Sequence, residues 1–218
     1  MPSENYGRLK LLFVDDAPHT LLMLREMLRN TNWSHAEFVD SATAAMAEIK
    51  ANPPDLVFTD WQMPGQSGLE LIRAIREMPG SPDPLLPVIL LTANGDSDHV
   101  KTARKAGATD YLVKPISLNR IVERVTNVVT RQRPFIVAST YMGPDWRRVG
   151  QPGNGEGGGE DPLPPGAVVV PADGLLLAKV RGDRDALRTA LLRRAEAIDL
   201  VRRSVREYRV RQRTAAPS

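Results

Sequence analysis

A chain of 218 residues with a net charge of +3 and no cysteine has no route to a disulfide framework, a thiolate metal site or a thiol nucleophile. Its first ten residues lack the apolar core of a signal peptide, and no apolar run approaches the roughly 18 residues that a membrane span needs, so the expected setting is a reducing cytoplasm. Lys and Arg against Asp and Glu number 15 against 16 over residues 1–134, 2 against 5 over 135–174 and 12 against 5 over 175–218. The basic excess therefore belongs to the C-terminus, and the overall charge does not mark the near-neutral first part as a nucleic-acid surface.

In chain order, Lys10 to Asp15 (KLLFVD) is a short apolar run of strand length, and Leu21 to Leu28 carries apolar residues at helical spacing. A weaker strand near Ala36 to Val39 and a helix over Ala42 to Ile49 follow. The strand Leu56 to Asp60 precedes a helix over Leu69 to Met78, and the strand Leu85 to Leu91 precedes one over Val100 to Ala106. A second weak strand, Tyr111 to Val113, and a helix over Ile116 to Val129 complete five βα units. Continuous apolar strands alternating with amphipathic helices imply a buried parallel sheet, covered on both faces and joined by right-handed crossovers.

From Arg133 the pattern breaks. Tyr141 to Arg148 (YMGPDWRR) leads into Gln151 to Gly159 (QPGNGEGGG), whose glycine content favours a linker, and Pro162, Pro164, Pro165 and Pro171 oppose a helix. Ala167 to Val170 and Leu175 to Val180 read as short strands in need of something to pack on. Asp183 to Arg211 reads as a helix with a stripe of Leu187, Leu191, Ile198, Val201, Val205 and Tyr208, interrupted by Arg194. The expected organisation is a domain over 1–134, a Gly/Pro-rich linker with a docking segment over 135–174, and a basic, partly ordered helical segment over 175–218. The stripe is read first as a packing face or a homodimer contact. Nucleic acid is the less favoured partner, because no helix-turn-helix pattern or aromatic interleaving accompanies the arginines.

In open parallel sheets the binding crevice lies beyond the carboxyl ends of the strands. Asp15 and Asp16 follow the first strand, Asp60 ends the third, Thr92 follows the fourth and Lys114 follows the fifth, so the spacing places five polar residues around one site. Alone, an acidic pair would be a solvated turn or a helix cap and Lys114 a surface lysine; five coincident positions make that reading untenable. Converging carboxylates make a hard-oxygen site suited to magnesium, which takes one or two carboxylates with waters and phosphate oxygens. Lys114 adds a fixed positive charge and Thr92 a hydroxyl donor, and an aspartate beside them is a reasonable nucleophile for an acyl phosphate.

The set Asp15-Asp16, Asp60 followed by Met63-Pro64-Gly65 and Gly68, Leu91-Thr92-Ala93 and Tyr111-Leu-Val-Lys114-Pro115 resembles the receiver domain of two-component response regulators over residues 7–131. The resemblance implies a flavodoxin-like, doubly wound sheet of order 2-1-3-4-5. It implies that Asp60 is the phosphoacceptor, and that Asp16, Asp60 and the Gln62 carbonyl bind Mg2+ directly while Asp15 acts through a metal-bound water. Thr92 and Lys114 would contact the phosphoryl group, Tyr111 would be the switch aromatic, and the Lys114–Pro115 bond would be cis. A sensor histidine kinase or histidine phosphotransfer protein is the expected donor and a downstream protein the expected target. No enzymatic output domain is recognisable, and the segment Tyr141 to Arg148, with Arg133-Pro-Phe-Ile before it, is expected as a docking strap. Two other readings stand beside this one: a receiver-controlled nucleic-acid binder using the basic helix, and an aspartate phosphohydrolase. The latter is disfavoured because Gln62 stands where the common family requires a second aspartate.

Overall fold

The computed structural model describes residues 4–77, 81–147 and 162–215; Met78, Arg148 and the glycine-rich run 151–159 lie outside the described residues. Five strands, β1 (Leu11–Val14), β2 (Glu37–Val39), β3 (Leu56–Asp60), β4 (Val88–Thr92) and β5 (Asp110–Val113), form a parallel sheet of order β2-β1-β3-β4-β5. They alternate with α1 (Pro18–Leu28), α2 (Ala42–Ala51), α3 (Gly68–Glu77), α4 (Ser97–Lys105) and α5 (Leu118–Thr130).

Side chains of a strand alternate between faces, which is why these runs are apolar throughout rather than every second residue. Leu11, Phe13, Phe58, Ile89 and Leu91 point to one core with Leu24 and Leu28 of α1 and Ile121 and Val125 of α5. Leu12, Val14, Val57, Val88 and Leu90 point to the other, with Ala45 and Ile49 of α2, Leu71, Ile72 and Ile75 of α3 and Ala103 of α4. Phe13 stacks on Phe58 at 4.7 Å between ring centroids and on Phe38 at 5.4 Å. The helices begin where short polar side chains or proline stand. Pro18 opens α1, Ser41 Oγ accepts from the Ala44 N–H at 3.3 Å, and Asp96 accepts from the Asp98 and His99 amides.

Beyond residue 134 the expectation of a linker needs correction for the described residues. Phe135–Val137 (β6), Met142–Pro144 (β7) and Val168–Val170 (β8) form an antiparallel sheet of order β7-β6-β8. Leu175 to Val180, read as a strand, is the helix α6 (Leu175–Arg181). Glycines stop it at both ends: Gly174 and Gly182 hold φ of 76° and 66°, a region open to glycine at no steric cost. Leu176 and Val180, four residues apart on one face, enter the core beside α1 and α5.

The last helix, α7 (Arg184–Ala215), also differs in detail from its expected stripe. Its buried positions are Ala190, Ala197, Val201 and Ser204, with Arg194 on the same line, while Leu191 and Leu192 are 50% and 62% exposed. The helix turns small residues inward because it packs closely on β6 and β8, where Leu85, Phe135, Val137, Met142 and Val170 form a third core. Arg194 is therefore the centre of the packing face rather than its interruption. Among the described residues no helix is long and apolar enough to cross a membrane.

Candidate functional site

The site residues arrive by strand geometry. Asp15 follows β1, its N–H donating to the Val39 carbonyl at 3.2 Å, and the Lys114 N–H after β5 donates to the Thr92 carbonyl at 2.8 Å. Each side chain therefore projects from the carboxyl edge of the sheet. The Lys114–Pro115 bond is cis, as expected. The loop after Asp60 folds back tightly, with the Gly68 N–H on the Trp61 carbonyl; a Cβ at Gly68 would collide with the Asp60 carbonyl oxygen, so only glycine permits this return.

Asp15 and Asp60 are 1% and 8% exposed and share one ammonium. Lys114 Nζ lies 2.6 Å from Asp60 Oδ1 and 3.2 Å from Asp15 Oδ2. The Gln62 N–H donates to Asp60 Oδ2 at 3.0 Å, and the Ala17 N–H to Asp15 Oδ1 at 3.0 Å. Burial is the strongest influence on Asp60 and holds its carboxyl above the ordinary range, against the hydrogen bond and charge of Lys114; the Asp15 charge pushes the same way. Burial alone would depress Lys114, but its bond to Asp60 and the charges of Asp60 and Asp15 outweigh it and raise the ammonium. The result is an anionic pocket: two buried carboxylates on one counter-charge, with Asp16 exposed beside them.

Not every expected residue joins this cluster. Asp16 is exposed, and among the described residues no group of three or more acidic or histidine side chains is gathered tightly enough to hold a metal by itself. The Thr92 hydroxyl donates to the Asn94 carbonyl at 2.9 Å and accepts the Asn94 N–H at 3.1 Å, so it is engaged with its own loop rather than with Asp60. Tyr111 is half-buried, packed against the core that holds Ala103, Ala106 and Ala108. Gln62 touches Asp60 through its amide. All donors at hand are oxygens, and their negative charge exceeds that of one lysine, which fits a hard divalent cation completed by water.

Other polar features gave no signal in the sequence. Arg76 of α3, the largest fully buried side chain, donates to the carbonyls of Gly107, Pro84 and Leu86 at 2.7 to 3.0 Å, and burial pulls its guanidinium down to about 10. Arg194 bridges Asp83 and Asp173 at 2.7 Å each. Trp146 donates to the Ala108 carbonyl at 3.2 Å, with the Arg104 and Arg133 guanidiniums each 4.4 Å from its ring centroid. Arg76 carries no expectation from the sequence and Arg194 reads there as an interruption of the α7 stripe, because their carbonyl and carboxylate partners lie outside their own helices.

A doubly wound parallel sheet with buried carboxylates and a lysine at its carboxyl edge defines an open α/β module with an acidic crevice at the strand ends. Residues 11–126 match the model of the response regulator receiver domain, and the chain belongs to that family. Over 123 residues it is 30% identical to the chemotaxis protein CheY of Pseudomonas aeruginosa, covering 56% of this chain and 98% of that one. Over 130 residues it is 31% identical to the phosphate regulon transcriptional regulatory protein PhoB of Rhizobium meliloti, covering 60% of this chain but 56% of the relative. A crystal structure of a putative response regulator from Chloroflexus aurantiacus superposes with a TM-score of 0.50 at 34% identity, covering 55% of this chain and 96% of that one.

Proposed function

We propose that this receiver accepts a phosphoryl group on Asp60 and passes the signal on by protein contact. The observation that carries this reading is the Asp60 carboxylate, buried at the carboxyl end of β3 and held 2.6 Å from Lys114, beside a second carboxylate on the same ammonium. An Asp60 oxygen would attack the phosphorus of a phosphohistidine on a sensor histidine kinase or phosphotransfer protein. A P–O bond forms, the P–N bond breaks, and the imidazole nitrogen leaves with the electron pair and takes up a proton. Lys114 offsets charge on the phosphoryl oxygens, and the small Ala93 leaves the approach open.

Mg2+ would be held by Asp16, Asp60 and the Gln62 carbonyl, with Asp15 acting through water; when bound it supplies neutralisation of the carboxylates' mutual repulsion and of the transferring group. Once Asp60 is phosphorylated, Thr92 would exchange its bonds to Asn94 for one to the phosphoryl group, and Tyr111 would move into the space released. This is a two-state switch biased by local charge.

The functional division we adopt is the receiver over 1–134 and an output-bearing extension over 135–218. A nucleic-acid role for the basic helix has less support: Arg194 of α7 faces inward onto Asp83 and Asp173, and Arg202, though exposed, reaches the Pro82 carbonyl at 3.2 Å. Incubation with acetyl phosphate and magnesium followed by intact-mass measurement tests the proposal. An acid-labile adduct of one phosphoryl group, lost in Asp60→Asn, is expected; no adduct, or one that survives that substitution, rejects it.

A further inference from the structure

A cavity of about 350 Å³ lies at the end of the receiver sheet opposite the acidic site, between the receiver and the extension. That size falls at the lower end of the range of small-molecule pockets, roughly 300 to 1,000 Å³. Its wall draws on Arg104 of α4, Arg124 of α5 and Arg131 just beyond α5 from the receiver, and on Trp146, Val170 and Pro171 from the extension.

The charges in this wall do not balance internally. Its carboxylates are all matched: Asp110 with Arg124 at 3.3 Å, Asp83 and Asp173 with Arg194, and Asp55 with Lys179. Among the described residues Arg104, Arg131 and Arg133, which all line the cavity, make no direct ion pair, although the charge of Arg133 acts on Asp145. Arg104 and Arg133 are held in place by the Trp146 ring, a contact that uses the face of a guanidinium. Arg133 spends one edge N–H on the Asp145 carbonyl at 3.1 Å; its remaining edge donors and those of Arg104 meet no carboxylate of the wall. Arg124 lines the cavity with its terminal nitrogens spent on Asp110 and Glu123. Beside these donors the wall is apolar, at Leu85, Val170 and Pro171.

We infer that this cavity binds a small phosphomonoester, its phosphate among the guanidiniums of Arg104, Arg131 and Arg133 and its organic body against Leu85, Val170 and Pro171. A phosphate suits the wall better than a single carboxylate, since its dianion offers three acceptor oxygens to several forked donors. Because receiver and extension each supply part of the wall, such a ligand ties the two together.

The test is calorimetric titration of the full chain with AMP, glycerol 3-phosphate and inorganic phosphate, in EDTA so that magnesium chemistry at Asp60 plays no part. At least one organic phosphate is expected to bind with Kd below about 1 mM and inorganic phosphate about tenfold or more weakly, for want of the apolar contact. Arg131→Glu, at an exposed side chain with no bonded partner among the described residues, is expected to weaken binding about tenfold or more with the circular dichroism unchanged. Lys114→Ala is expected to leave binding intact. The inference is overturned by no binding of either organic phosphate at about 10 mM, by equal affinity for inorganic phosphate, by full affinity in folded Arg131→Glu, or by loss of binding in Lys114→Ala. That last outcome would place the phosphate in the acidic site instead.

Discussion

The two ends of the receiver sheet handle buried charge in opposite ways. At the carboxyl end, Asp15 and Asp60 share the single ammonium of Lys114, and Asp16 stands exposed beside them. At the amino end, Arg76 is met by three backbone carbonyls and Arg194 by two aspartates. An unbalanced cluster costs stability and so marks a place selected for chemistry, whereas a saturated one holds segments together. The comparison teaches that the extension is fastened to the end of the receiver remote from the acidic site, leaving the crevice open to a partner.

Substitutions at the two ends should separate these roles. The largest effect is expected from Arg76→Met, which leaves the Gly107, Pro84 and Leu86 carbonyls without donors and should cost about 3 kcal/mol in urea unfolding. Arg194→Ala strands Asp83 and Asp173 and should cost about 2 to 3 kcal/mol, while the receiver still takes phosphate from acetyl phosphate. Loss of phosphorylation in the folded Arg194 variant would break the separation of the two ends. Trp146→Ala removes a partly buried ring and two cation–π contacts, about 2 kcal/mol, and should increase amide exchange in β7 before β3.

At the acidic end the effects are smaller in stability and larger in chemistry. Because burial raises the Asp60 pKa, the charged form is disfavoured in the fold. Its contribution to stability therefore falls as pH rises from the unfolded carboxyl pKa, about 3.9, through the folded one. Asp60→Asn should accordingly be slightly more stable than the parent at neutral pH, with the difference vanishing in acid. In EDTA, without magnesium, the Asp60 carboxyl followed by NMR should titrate with a midpoint above the ordinary aspartate range. Lys114→Met should move that midpoint further up, by about one unit or more; an unmoved midpoint would show that Lys114 does not hold Asp60.

Much of this was legible in sequence because it depends on local pattern. Three continuous apolar strand runs, each followed by a helical period, and polar residues placed at the strand ends were enough for the sheet and for the joining of Asp15, Asp60 and Lys114. The state of Thr92 was not legible, since a hydroxyl between two loop bonds and a phosphoryl group responds to what is present. Leu175 to Val180 was misread for a related reason: a run of leucines and a valine satisfies a buried strand or a short helix, and two glycine caps with a core on one side decide for helix.

The amino-acid order by itself determined the parallel α/β receiver and the place of its acidic site, because backbone periodicity and strand-end placement are properties of neighbouring residues. Only the tertiary structure decided the rest. Residues 135–147 and 162–215 became a folded cap rather than a tail, Arg194 the bolt that joins it to Asp83 of the receiver, and Arg104, Arg124 and Trp146 the wall of a cavity. Each of those roles depends on partners that folding brings together from far along the chain, as when Arg194 reaches Asp83 across 111 positions, and no local period encodes such a meeting.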